Sequence, residues 1–228
     1  MPRVCVFDVN ETLLDLRALD PAFVQVFGDT AVRREWFTQM IQSALVATVT
    51  GVYAPFGQIG AAALSMVAAR RGVTLTEDAR QQLLSGMRSL PPHPEVRSAL
   101  ERLRSAGLRL AALTNSTAEV AEAQLAHAGL AELFELRLSV DAVRRLKPAP
   151  EAYQMAAERL GVPLGEIRLV AAHAWDIAGA LRAGCAGAFV ARPGMVLDPL
   201  VPAPDVVGPD MAKVAEGILA AEGVHPKA

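Results

Sequence analysis

Asp8 follows the apolar run Val4-Cys5-Val6-Phe7 and precedes the polar residues Asn10-Glu11-Thr12. A carboxylate carried to the tip of a buried strand stands where parallel α/β sheets place their ligands. There it can act as a nucleophile, forming a covalent ester or acyl-phosphate that divides one hard displacement into two easier steps. Asn10, two residues on, narrows the chemistry. An amide donates and accepts hydrogen bonds, but it cannot protonate a leaving alkoxide. The pair suits a leaving group that needs no proton, such as a halide.

Three further positions carry chemistry. Lys147 is one of only three lysines, with Lys213 and Lys227, against nineteen arginines. Where composition favours Arg so strongly, a compact ammonium suggests a charge that must sit close to a carboxylate and keep it ionised. His173 and Asp176 follow the apolar stretch Ile167 to Ala172. A neutral imidazole at that strand end can draw a proton from water, and Trp175 beside it suits an apolar wall that lowers the local dielectric. Thr114-Asn115 follow a strand expected over Leu108 to Leu113. Ser116 and Glu119 are spaced as a capping box for the next helix, whose free amides could hold an anion. His93, His127 and His225 lack such settings and are expected to be structural or exposed.

These residues need elements to position them. The 228 residues are 52% hydrophobic and 20% charged with a formal net charge of -2, a composition that folds into one core with room for an insert. After Leu14 the periodicity is helical, without strands, until the stiff passage Leu90-Pro91-Pro92-His93-Pro94. Beyond it, helix and strand alternate through Val190, with Val206-Val207 as a further edge. The pattern predicts an α/β fold: a Rossmann-like, doubly wound parallel sheet from residues 1–14 and 91–228, with a helical cap inserted over 15–90. Asp8, Thr114-Asn115, Lys147 and His173 to Asp176 then meet on one sheet edge.

The order of these segments resembles the haloacid dehalogenase superfamily of hydrolases and, within it, is most similar to the 2-haloacid dehalogenases. The resemblance implies Asp8 as nucleophile, Thr12 as a supporting hydroxyl, Thr114-Asn115 as the pair holding a substrate carboxylate, and Lys147 as the essential amine. It also implies Tyr153, six residues later, as the active-site tyrosine, and Trp175-Asp176 as the end of the fourth motif. Departures from that pattern are Asn10 for a tyrosine, Ala171 for a serine, His173 for an asparagine, and Phe37 for the halide-accepting arginine. Arg33 or Arg34 takes that arginine's place only in a shifted register. The activity implied is hydrolysis of a small 2-haloalkanoate through an aspartyl ester, without metal or other cofactor. A magnesium-dependent phosphatase would need acids at Asn10 and Ala172, and Asp8 with Asp176 alone makes a poor oxygen shell. A non-catalytic binding protein is the remaining alternative, against which Asp8, Lys147 and Asp176 all stand.

No Lys/Arg cluster suggests nucleic acid, so a small-molecule partner is expected. The uncharged run from Ala44 to Ala69 is broken by Gly51, Pro55, Gly57 and Gly60. It reads as two buried helices around Tyr53-Ala54-Pro55 rather than a membrane span, and its apolar character makes a homodimer plausible. Cys5 and Cys185 are too few and too far apart for a disulfide framework. A strand follows Met1-Pro2-Arg3 directly, so no leader is expected and the cytoplasm is the expected compartment.

Overall fold

The computed structural model describes residues 3–225; Met1, Pro2 and Lys227, used above, lie outside them. β1 (Val4–Phe7) leads into helices α1 (Asp20–Phe27), α2 (Ala31–Thr50), α3 (Phe56–Arg70) and α4 (Glu77–Ser85). The alternating part then runs α5 (Val96–Ser105), β2 (Leu110–Thr114), α6 (Ala118–His127), β3 (Leu136–Ser139), α7 (Pro150–Leu160), β4 (Ile167–Ala171), α8 (Ala174–Ala183), β5 (Ala186–Val190), β6 (Val206–Gly208) and α9 (Met211–Glu222).

All strand pairings are parallel, in the order β3-β2-β1-β4-β5-β6. β1, β2 and β4 are buried along their whole length, as strands covered on both faces must be, and the edge strand β3 is not. The chain winds outward from β1 in one direction through β2 and β3 and in the other through β4 to β6. The crevice at this switch point, between the C-terminal ends of β1 and β4, is where such sheets bind ligands. Asp8 directly follows β1, and His173 directly precedes α8 after β4.

The helical segment and the sheet are joined by two passages lying side by side. Asp15 N donates to Pro91 O at 2.8 Å and His93 N to Leu13 O at 2.9 Å. The uncharged run divides into α2 and α3 as its Gly and Pro residues predict, with Trp36 Nε1 donating to Gly60 O at 2.8 Å across the pair. No helix among the described residues is long and apolar enough to cross a membrane. α4 starts at Thr76, whose hydroxyl accepts from Ala79 N.

One cap differs from expectation. Thr117, not Ser116, caps α6 by accepting from Val120 N. Ser116 Oγ instead accepts from Asn10 Nδ2 at 3.3 Å, so a tertiary partner has displaced the local capping box. The fourth motif is also shifted in type: Trp175 and Asp176 lie in the first turn of α8 rather than in a loop before it.

Candidate active site

Each oxygen of Asp8 is held. Lys147 Nζ donates to Oδ1 at 2.8 Å and Thr12 Oγ1 to Oδ2 at 2.7 Å. Thr12 accepts in turn from Ala172 N at 2.9 Å, which ties the tip of β1 to the tip of β4. Lys147 completes its three donors on Asp176 Oδ2 at 2.6 Å and Leu113 O at 3.0 Å. The other oxygen of Asp176 accepts from Tyr153 Oη at 2.6 Å. Tyr153 therefore orients Asp176 while packing its own helix.

That contact needs α8 very close to the Lys147 loop, and Gly179 permits it. A Cβ there would come within 2.5 Å of Pro148 Cβ and 2.6 Å of Tyr153 Oη. The loop itself is fixed by Asn115, whose Oδ1 accepts from Lys147 N at 2.8 Å. Asn115 is thus engaged with the protein, and Thr114 Oγ1 accepts from Ser116 N at 3.1 Å.

Burial pushes the carboxyl of Asp8 up, but Lys147 and His173 outweigh it and hold Asp8 well below the usual carboxylate range. Asp176 goes the other way. Burial and the charge of Asp8 raise it, with Lys147 opposing. Two carboxylates sharing one ammonium are therefore driven apart, the pattern that assigns them different roles. The Lys147 amine is raised despite its burial, by Asp176 and Asp8, and stays charged.

His173 faces a carboxylate at each nitrogen: Nδ1 lies 3.2 Å from Asp8 Oδ2 and Nε2 3.1 Å from Glu11 Oε2. Carboxylates only accept, so both nitrogens must donate and the ring is an imidazolium. Burial disfavours that charge, yet Asp8 and Glu11 raise the ring to about 9. The neutral imidazole expected from sequence is therefore not the resting state. The ring lies between Phe37, at 5.9 Å between centroids, and Trp175, at 5.1 Å. Trp175 stacks on one face of the ring, and Phe37, standing for an arginine, closes the opposite face.

Arg33, one turn before Phe37 on α2, is buried and needs no change of register to reach the site. Its Nε donates to Asp20 at 2.5 Å and one terminal nitrogen lies 3.7 Å from Glu11. Arg34 is exposed. Asn10 is fixed by Ser116 and by Gln124, which donates to its Oδ1 at 3.0 Å.

Sequence reasoning missed Glu11, Ser116 and Gln124 as site residues. Only the nearness of Glu11 to Asp8 gave any signal. A cavity of about 430 Å³ is lined by Glu11, Arg33, His93 and Arg192. A second, of about 330 Å³, is lined by Trp36, Met40, Phe56 and Ser116. Asp8 lines neither; it connects to the first through His173 and Glu11 and to the second through Asn10 and Ser116.

The family model of haloacid dehalogenase-like hydrolases matches residues 2–184. This chain belongs to that family. Within it, the chain is 32% identical over 207 residues to (S)-2-haloacid dehalogenase 2 of Pseudomonas sp. (strain CBS-3), covering 90% of each. It is 30% identical to haloacetate dehalogenase H-2 of Moraxella sp. (strain B), covering 90% of this chain and 92% of that one. The L-2-haloacid dehalogenase of Xanthobacter autotrophicus, solved with chloropropionic acid covalently bound, superposes with a TM-score of 0.89 at 26% identity over 97% of this chain and 99% of that one. The haloacid dehalogenase-like fold thus accounts for the whole sheet and for the helices between β1 and α5.

Proposed function

We propose that this chain is a metal-independent (S)-2-haloacid dehalogenase. The observation that carries the reading is the saturated cluster of Asp8, Lys147 and Asp176 beside Asn10, in a family whose named relatives cleave haloacids. Asp8, ionised by Lys147, attacks the halogen-bearing carbon of a small 2-haloalkanoate. Halide departs with the bonding electrons and leaves an aspartyl ester. Thr114 orients the substrate carboxylate, Lys147 offsets its charge, and Asn115 positions Lys147. Water then attacks the ester carbonyl, releasing a 2-hydroxy acid and restoring Asp8. Asn10 supplies no proton, and a halide needs none.

The helices of residues 15–90 act as a cap that closes water out over Asp8. Val46, Val49, Val52 and Met66 expose apolar surface on and between α2 and α3, which supports a homodimer through that face. Two free buried cysteines suit a reducing compartment, and the cytoplasm is proposed on that ground.

The test is halide release from chloro-, bromo- and fluoroacetate and from both enantiomers of 2-chloropropionate, in chelator, with Asp8→Asn as control. Release that Asp8→Asn abolishes is expected, with (S)-2-chloropropionate giving (R)-lactate because displacement inverts carbon and ester hydrolysis leaves it untouched. Silence on every haloacid would sink the reading and bring magnesium-dependent phosphate ester hydrolysis forward.

A further inference from the structure

The cap meets the core at both ends of α2, whose 20 residues span about 30 Å. Near the start of the helix, Arg33 lies beside Glu11 and Phe37 stacks on His173. Past its end, in the turn to α3, Tyr53 Oη donates to Asp141 Oδ1, just after β3. The guanidinium of Arg144 lies 4.8 Å from the centroid of the same ring, close enough for cation–π attraction. Arg145 Nη1 donates to Thr48 O at 3.4 Å. Burial and Asp141 hold the Tyr53 phenol well above its usual value, so it keeps its proton to donate at any working pH.

Two features tie this contact to the site. Arg144 holds a backbone φ of 51°, a conformation that costs a residue with a side chain, and the Tyr53 ring is what that turn brings its guanidinium to. Asp141 N donates to Ser139 Oγ at 3.1 Å, and that hydroxyl donates to Ser116 O at 2.7 Å. Ser116 closes the turn that holds Thr114 and Asn115, and Asn115 fixes Lys147, six residues after Asp141. We propose that Tyr53 is a positioning residue, a clasp that closes the far end of the cap onto the loop carrying Lys147 and so sets the fraction of enzyme ready to hold substrate. What the closed cap covers rests on the dehalogenase reading; the clasp rests on the contacts of Tyr53.

A hydrogen bond to a carboxylate is among the stronger kinds, yet this one can open. Tyr53 and Asp141 are half-buried and Arg144 is exposed, so water can serve each partner when the cap lifts. Phe37, at the other end of α2, is buried against His173 and has no such exchange. Where only a closed form binds, the apparent affinity falls by the closed fraction. Loss of the clasp therefore raises KM, while saturating substrate restores closure and with it kcat.

Steady-state halide release from (S)-2-chloropropionate and hydrogen–deuterium exchange test this, on wild type, Tyr53→Phe, Asp141→Ala, Asp141→Asn and the double variant Tyr53→Phe with Asp141→Ala. Tyr53→Phe keeps the ring under Arg144 and should raise KM about tenfold with kcat within about twofold. Peptides over 48–56 and 139–147 should exchange faster together, with the strands unchanged. Asp141→Ala should match Tyr53→Phe, and the double variant should be no worse than either, since one bond is lost once. Asp141→Asn keeps an acceptor and should stay nearer wild type. An unchanged KM in Tyr53→Phe, additive losses, or a fall in kcat with KM kept overturns the proposal, and so does faster exchange throughout the chain, which marks a purely structural role. Absence of halide release from wild type overturns the dehalogenase reading alone, because exchange over 48–56 and 139–147 still decides the clasp.

Discussion

Strands β1 and β4 carry a buried ionic cluster at each end, and the two ends behave differently. At the C-terminal end Lys147 sits between Asp8 and Asp176, whose side chains are 7% and 0% exposed. At the other end Arg168 is fully buried, and its planar fork holds Asp205 at 2.5 and 2.9 Å and Glu222 at 2.8 and 3.0 Å. Asp205 is half exposed, and it is held below the usual range first by its Arg168 hydrogen bond. Arg168 clamps α9 and the approach to β6 onto the sheet. Lys147, a point charge between two desolvated carboxylates, drives their proton affinities apart. A buried ion pair by itself marks packing; divergent carboxylates at a strand tip mark chemistry.

The largest expected effect that tests this contrast is Asp8→Asn, which should lower turnover by at least about 10⁴-fold while leaving the fold intact. Activity surviving that change would remove Asp8 from the reaction. Arg168→Met should do the reverse. It leaves Glu222 buried with only Arg3 nearby, so urea unfolding should report a loss of about 3–5 kcal/mol with kcat per folded molecule unchanged. Lys147→Arg keeps charge but not shape and should cost about 10²-fold in kcat, since a guanidinium cannot occupy the three-acceptor nest of an ammonium; a near-normal rate would show that only charge matters there. Gly179→Ala drives a methyl into Pro148 and Tyr153, and should cost about 1–3 kcal/mol by overpacking together with a smaller fall in kcat. Crystallography of that variant should find the Tyr153–Asp176 contact lengthened.

The smallest effect is in pH. His173 is raised from 6.5 to about 9 in the folded protein, so its contribution is fully present below pH 6.5 and is lost as pH rises through 9. Urea stability should therefore fall between pH 6.5 and 8.5, a window kept below the ordinary cysteine value of 9, since burial raises Cys5 and Cys185 to about 12 and they add a loss of the same sign above it. His173→Gln should flatten the slope; an unchanged slope would locate the titration elsewhere.

Much of the site was legible because its carriers lie at strand ends. Asp8 closes β1, Thr114 ends β2, and His173 follows β4, so an apolar strand pattern and one topological rule bring them together. The break between α2 and α3 was legible too, since Gly and Pro act locally. Glu11 was not, because a left-handed turn, with φ of 61° at Glu11, aims its side chain back at His173. Gln124 reads as an ordinary polar helix residue until Asn10, 114 positions away, accepts its proton. Arg168 interrupts an apolar strand without local explanation, because Asp205 and Glu222 arrive only when α9 docks. The Ser116–Glu119 spacing misled for the same reason: Asn10 competes for the hydroxyl.

The sequence by itself determined the strand tips and set a carboxylate, Asp8, and an amide, Asn10, together at one of them, because alternation, turn chemistry and the proton inventory of Asn10 are properties of neighbouring residues. Only the tertiary structure decided that His173 rests as an imidazolium, that Arg33 rather than Arg34 is buried beside Glu11, and that Phe37 stacks on His173 where an arginine was expected. Charge state and hydrogen-bond roles follow from which groups come within a few ångströms and how much water they exclude, and those neighbours come from segments far apart in the chain.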